Sequence, residues 1–218
     1  MKKMINKPEN IVEEMVSGML KAYPEYLERV EDLPVIVRKD KKVGKTALIS
    51  GGGSGHEPSH AGFVGYGMLD GAVAGEVFTS PSADKVYEAI KAVNSGAGVL
   101  LIIKNYSGDV MNFEMAAEMA AMEEIEVKKI VVDDDIAVEN STYTVGRRGI
   151  AGTVLVHKMV GAAAEKGYSL GELEALGNKV IGRTKTLGMA LEPCMVPTTG
   201  KLSFELADDE VEIGLGIH

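Results

Sequence analysis

Apolar positions near the start of the chain repeat with helical spacing. Ile11, Met15, Met19 and Leu20 form one stripe, Asn10 stands before it and Glu13 follows three residues later. This pattern predicts a helix from Asn10 to about Glu31, broken or kinked at Pro24. Val35–Arg38 is a short apolar run suited to a strand. Ala47-Leu48-Ile49 reads as a buried strand running straight into Gly51-Gly52-Gly53-Ser54-Gly55-His56-Glu57-Pro58, with a further helix expected to start at Pro58. A strand near Gly71–Gly75, a helix over Ser82–Val93 and a strong strand at Gly98–Ile103 come next. The polar turn Asn105-Tyr106-Ser107-Gly108-Asp109 opens a helix carrying Met111, Met115, Met119 and Met122. Methionines at that spacing are expected to pack into the core. Lys128–Val132 is another strand and Asp133–Gly149 a long polar loop. Helices are predicted near Ala151–Glu165 and Ser169–Leu191. The end, from about Pro193 to His218, reads as β-rich, with strands at Ser203–Leu206 and Val211–Leu215.

Strands alternate with helices, and the strands are apolar throughout. That combination predicts an α/β fold: a mostly parallel sheet flanked by helices, with a β-rich C-terminal part. No linker or repeat divides the 218 residues. Apolar residues at 45% and charged residues at 25% place the chain among ordinary globular proteins, not disordered ones. The longest apolar run, Val99–Ile103, is far short of a membrane span, and the basic N-terminus has no apolar stretch behind it. A net charge of −9 argues against binding nucleic acid or an anionic membrane. The single cysteine, Cys194, excludes an internal disulfide and suggests a reducing, cytoplasmic setting.

Glycine is concentrated where chemistry is expected. Ten of the residues from Gly44 to Gly75 are glycine, a density that marks turning backbone or close approach to a ligand. The run after the Ala47-Leu48-Ile49 strand fails the phosphate-loop, dinucleotide and nucleophile-elbow patterns. A Gly-Gly-Gly-Ser-Gly loop still offers N–H groups and a hydroxyl to a small polar ligand. His56-Glu57-Pro58-Ser59-His60 fits the zinc-protease spacing, but Pro58 opposes the continuous helix that such a site needs. His60 is accordingly read as a partly exposed helix residue, and no metal is expected. Asp109 either caps the helix it precedes or acts on a ligand at the carboxyl edge of the sheet. Asp133-Asp134-Asp135 could hold Mg²⁺ but is read first as a solvated loop. Arg147 and Arg148 are a surface pair, a helix-start contact or part of a partner face. His157 is read as structural.

Four blocks stand in order: Ser50–Pro58, Leu101–Asp109, Tyr143–Gly149 and Gly214–His218. They resemble the dihydroxyacetone kinase substrate-binding family, the K subunit or K domain, over essentially the whole chain. The resemblance implies that an imidazole nitrogen of His218 adds to the ketone carbon of dihydroxyacetone to give a hemiaminal. It implies that His56 hydrogen-bonds the substrate and assists proton transfer, and that Asp109 takes the proton of the hydroxyl to be phosphorylated. Gly53, Ser54, Gly55 and Lys104 match positions lining the substrate. No cofactor is expected on this chain. ADP and Mg²⁺ belong to a partner L subunit, which a phosphotransferase-system M protein recharges from phosphoenolpyruvate; in a second version of the system the L domain is fused and ATP serves directly. A homodimer is implied. Family members continue past His218 into a second, smaller domain, so residues 1–218 are expected to be the larger N-terminal part of a longer chain. A non-catalytic paralogue that senses dihydroxyacetone for a transcription factor is the alternative.

Overall fold

The unbroken apolar run Val99–Ile103 demands cover on both faces, and it has it. Strand β5 of the computed structural model, which describes residues 3–138 and 144–216, is buried along its whole length. β5 (Val99–Lys104) lies in a six-stranded sheet with β1 (Leu27–Arg29), β2 (Val35–Arg38), β3 (Ala47–Ser54), β4 (Gly71–Val77) and β6 (Val127–Val132). The order is β1-β2-β4-β3-β5-β6. β4, β3, β5 and β6 run parallel, and β2 joins antiparallel to β4, with β1 antiparallel to β2.

Alternate residues of each strand face opposite layers. Leu100, Ile102 and Ile130 pack against Val16 of α1 (Ile11–Ala22), Val160 of α4 (Thr153–Glu165) and Leu173 of α5 (Leu170–Arg183). Leu101, Ile103 and Val73 pack against Ile90 of α2 (Ala83–Val93) and Phe113 of α3 (Ser107–Met122). The result is an α/β/α sandwich, the class read from the sequence. Among the described residues no helix is long and apolar enough to cross a membrane.

Several local expectations are corrected. α1 ends at Ala22, two residues before Pro24, and Glu28 belongs to β1. Asn10 makes no side-chain cap. Glu13, expected to close a capping box, instead accepts from Arg29 at 2.7 Å. A complete capping box occurs at α5, between Ser169 and Glu172. α5 stops at Arg183, short of Leu191. The C-terminal β-structure is a two-residue pair, β7 (Met189–Ala190) with β8 (Glu212–Ile213), and Ser203–Leu206 is not a strand.

The methionine stripe faces outward. Met111, Met115 and Met122 are exposed, and only Met119 packs against the core. The inner side of α3 is taken by Phe113, Ala116 and Ala120. The acidic run is equally unlike a solvated loop. Asp134 accepts from the backbone N–H groups of Ile150 and Gly152, each at 2.8 Å, and from the Thr186 hydroxyl. Asp135 pairs with Arg148 at 2.9 Å, and Arg148 also donates to the Gly214 carbonyl. Asp134 and Asp135 are both wholly buried. They knit the loop to the start of α4 and, through Arg148, to the C-terminal segment.

Candidate functional site

The chain leaves β3 towards β4 on one side and leaves β5 towards β6 on the other. Adjacent parallel strands whose connections diverge open a crevice at their carboxyl ends. β3 ends there in the glycine run and β5 ends in Lys104.

The glycines are strand, not loop. β3 continues through Gly51, Gly52, Gly53 and Ser54, and all are buried. Crowding explains the composition. A Cβ on Gly53 would lie 2.6 Å from the Thr79 nitrogen, too close for any side chain. Gly52 has φ +155°, a conformation that disfavours side chains. A Cβ there would stand 3.2 Å from Lys104 Nζ and 3.3 Å from Asp109 Oδ2. The bare backbone of Gly52 therefore lies against both charged groups.

Lys104 is wholly buried, with its Nζ 2.8 Å from His56 Nε2. Burial lowers its pKa to about 8, while the charges of Asp109 and Glu57 oppose the fall. The ammonium still dominates at neutral pH, so Lys104 donates and His56 Nε2 accepts. A neutral His56 then keeps its proton on Nδ1. Asp109 is the third residue of α3, wholly buried, while Tyr106 occupies the N-cap position without a side-chain cap bond. The capping reading of Asp109 is thereby overturned. Its carboxyl lies at a helix N-terminus, where negative charge is favoured.

Ser54 donates its hydroxyl proton to the Gly75 carbonyl at 2.7 Å, and the Gly55 N–H donates to the Glu57 carboxylate at 3.1 Å. What Ser54 offers a ligand is its oxygen. A recess opens beside these residues, lined by Gly52, Gly53, Ser54, Glu57 and His60, with Met15 of α1 in its wall. No helix starts at Pro58. The segment turns through cis peptide bonds at Glu57–Pro58 and Ser59–His60 into a short 3-10 turn, Ala61–Phe63. His60, expected to be partly exposed, is buried and contacts Ser50 and His157. Among the described residues no three His, Cys, Asp or Glu side chains are arranged to hold a metal.

The fold therefore brings His56, Lys104, Asp109 and Gly52–Ser54 together from two separate stretches of sequence. The C-terminal segment reaches the same edge: a Cβ on Gly216 would sit 3.4 Å from the Tyr106 hydroxyl. Tyr143, Ile217 and His218 lie outside the described residues. Sequence reading missed the buried pair His60 and His157. The only signal was the spacing of His56 and His60, which pointed to zinc.

A family model described as the Dak1 domain matches residues 17–218. The chain is 63% identical over 218 residues to a Listeria innocua protein named PTS-dependent dihydroxyacetone kinase 1, dihydroxyacetone-binding subunit DhaK, covering all of this chain and 66% of that one. It is 52% identical over 219 residues to the corresponding PEP-dependent subunit of Escherichia coli, covering 100% of this chain and 61% of that one. The chain thus spans somewhat less than two thirds of these relatives' length. The crystal structure of the dihydroxyacetone kinase of C. freundii superposes with a TM-score of 0.92 at 42% identity, over 100% of this chain and 40% of that chain. A dihydroxyacetone kinase operon co-activator, Dha-DhaQ, superposes with a TM-score of 0.87 at 43% identity, over 94% and 62%. Matched along nearly its whole length by that family model, the chain belongs to the Dak1 domain family.

Proposed function

We propose that the chain is the larger part of the dihydroxyacetone-binding subunit of a phosphoenolpyruvate-dependent dihydroxyacetone kinase. The observation that carries this reading is the Lys104–His56–Asp109 cluster, packed against side-chain-free Gly52 in a chain so similar to subunits of that name. Dihydroxyacetone is small, and hydrogen bonds alone separate it poorly from glycerol. A covalent bond to its carbonyl carbon does separate them, because glycerol has no electrophilic carbon. A neutral imidazole nitrogen of His218 attacks that carbon, the C=O π bond breaks, the oxygen takes up a proton and the ring gives up its N–H proton, leaving a neutral hemiaminal. His56, held by Lys104, hydrogen-bonds the adduct and assists that proton transfer. Asp109 accepts the proton of the terminal hydroxyl as the phosphoryl group arrives.

Phosphoryl transfer is mostly positioning and charge neutralisation, and the nucleotide is supplied by a separate ADP-carrying L subunit recharged through a phosphotransferase-system M protein. The subunit itself works as a homodimer. The test mixes full-length protein, L subunit, M protein and phosphoenolpyruvate, and follows dihydroxyacetone phosphate. Turnover by this protein with ATP alone would sink the proposal. In parallel, intact mass should show an adduct with dihydroxyacetone and none with glycerol, and His218→Ala should abolish it.

The likeness to the operon co-activator favours a second reading, a sensor that captures dihydroxyacetone without phosphorylating it. Capture requires only the covalent anchor, whereas this chain also carries Lys104, His56 and Asp109. Adduct formation with no turnover in the complete mixture would select the sensor.

A further inference from the structure

Ser50, His60 and His157 are buried beside the site, and no step above uses them. They come from three places: strand β3, the turn after Pro58, and helix α4. Ser50 has one hydroxyl proton and gives it to the Ile102 carbonyl at 2.6 Å. Its oxygen therefore meets His60 Nδ1, 3.2 Å away, with a lone pair. His157 Nε2 lies 3.0 Å from the same Nδ1. A bare Nδ1 would set lone pair against lone pair at Ser50, whereas a protonated one donates to both neighbours. His157 is able to accept, since burial, and after it the charge of Lys104, bring its pKa down to about 3 and keep it neutral.

His60 also touches the site directly. Its ring meets that of His56 edge to face, with centroids 5.6 Å apart. His56 sits half-buried on a turn, not on a helix or strand. Its Nε2 must nevertheless stay within 2.8 Å of Lys104 Nζ. A turn residue keeps such a geometry only when a rigid neighbour supports it.

We propose that His60 is a positioning residue: Ser50 and His157 lock its imidazole as the Nδ1–H tautomer, and the locked ring holds His56 in register with Lys104. The effect on rate rests on the kinase reading; the tautomer does not.

Two-bond ¹H–¹⁵N correlation on the full-length, ¹⁵N-labelled protein reads the tautomer without substrate. The expected result at neutral pH is a protonated Nδ1 and a bare Nε2 on His60. Finding the proton on Nε2 overturns the proposal. Ser50→Ala removes one acceptor and keeps the ring; His60→Phe keeps a ring and removes the lock. In either variant, whichever folds, the His56 Nε2 signal should lose its hydrogen-bonded shift. In the reconstituted system kcat should fall on the order of 10-fold, less than the ~10²-fold that a misplaced catalytic group costs. KM for dihydroxyacetone should rise as well, because His56 also hydrogen-bonds the adduct and assists the proton transfer that forms it. A folded variant with unchanged His56 shifts and unchanged kcat refutes the role. Complete absence of turnover in the native protein would instead reject the kinase reading, and the tautomer and His56 shifts would still decide this proposal.

Discussion

Asp109→Asn separates charge from shape at the centre of the site. The two side chains are nearly the same size, and no helix cap is lost, because Asp109 lies within the first turn of α3. Lys104 Nζ and Asp109 Oδ2 stand 3.2 and 3.3 Å from one point beside Gly52. The two radii together put them no more than about 6.5 Å apart, where opposite unit charges at an effective dielectric of ~20 attract by about 2.5 kcal/mol. That attraction holds the lysine proton in place against burial, with a net pKa of about 8. Removing the carboxylate should lower that pKa by about two pH units or more, since 1.36 kcal/mol corresponds to one. Lys104 then loses much of its charge near neutral pH, and with it the charged donor to His56 Nε2. Turnover should fall on the order of 10²–10⁴, the usual loss when a general base is removed, while adduct formation at His218 survives. Two measurements check this: NMR titration of the labelled Lys104 side chain, and dihydroxyacetone phosphate production in the reconstituted system. A variant in which Lys104 titrates as in the native protein, or in which turnover stays within a few-fold, refutes the reasoning.

The same burial gives a pH-dependent stability. The folded-state pKa of Lys104 lies below the ordinary lysine value of 10.5, so between about 8 and 10.5 the unfolded chain binds more protons and this group's contribution to stability rises with pH. Denaturant midpoints across that window should show the rise, and in Asp109→Asn it should begin at lower pH. Met115→Gln on the outward face of α3 should change stability by no more than about 0.5 kcal/mol, as exposed substitutions do; a loss of several times that in urea unfolding would show that the residue is packed after all. Asp135→Asn leaves the largely buried Arg148 without its charge partner, at a cost of about 3–5 kcal/mol, and limited proteolysis should then cut first around Gly214, whose carbonyl Arg148 holds; a native cleavage pattern would contradict that.

Run length and period are local properties, and they located β2, α2 and β5 to within a residue. The ordered blocks around Gly51–Pro58 and Lys104–Asp109 likewise pointed to side chains that the fold gathers at one edge. What periodicity leaves open is which side of a helix meets the sheet. Four methionines at helical spacing share a face, yet α3 turns Phe113, Ala116 and Ala120 inward, where the two small alanines let the helix approach the sheet closely. Glycine density likewise reads as a loop until β4 and the Phe78–Thr79 backbone are seen crowding Gly51 and Gly53. Asp134 and Asp135 look solvated until Ile150, Gly152 and Arg148 supply their hydrogen bonds from residues more than ten positions away. His60 and His157 are separated by 97 residues. No local pattern joins them; they meet because α4 packs over the face of the sheet beneath which the turn carrying His60 is buried, and a buried imidazole must find a polar partner there.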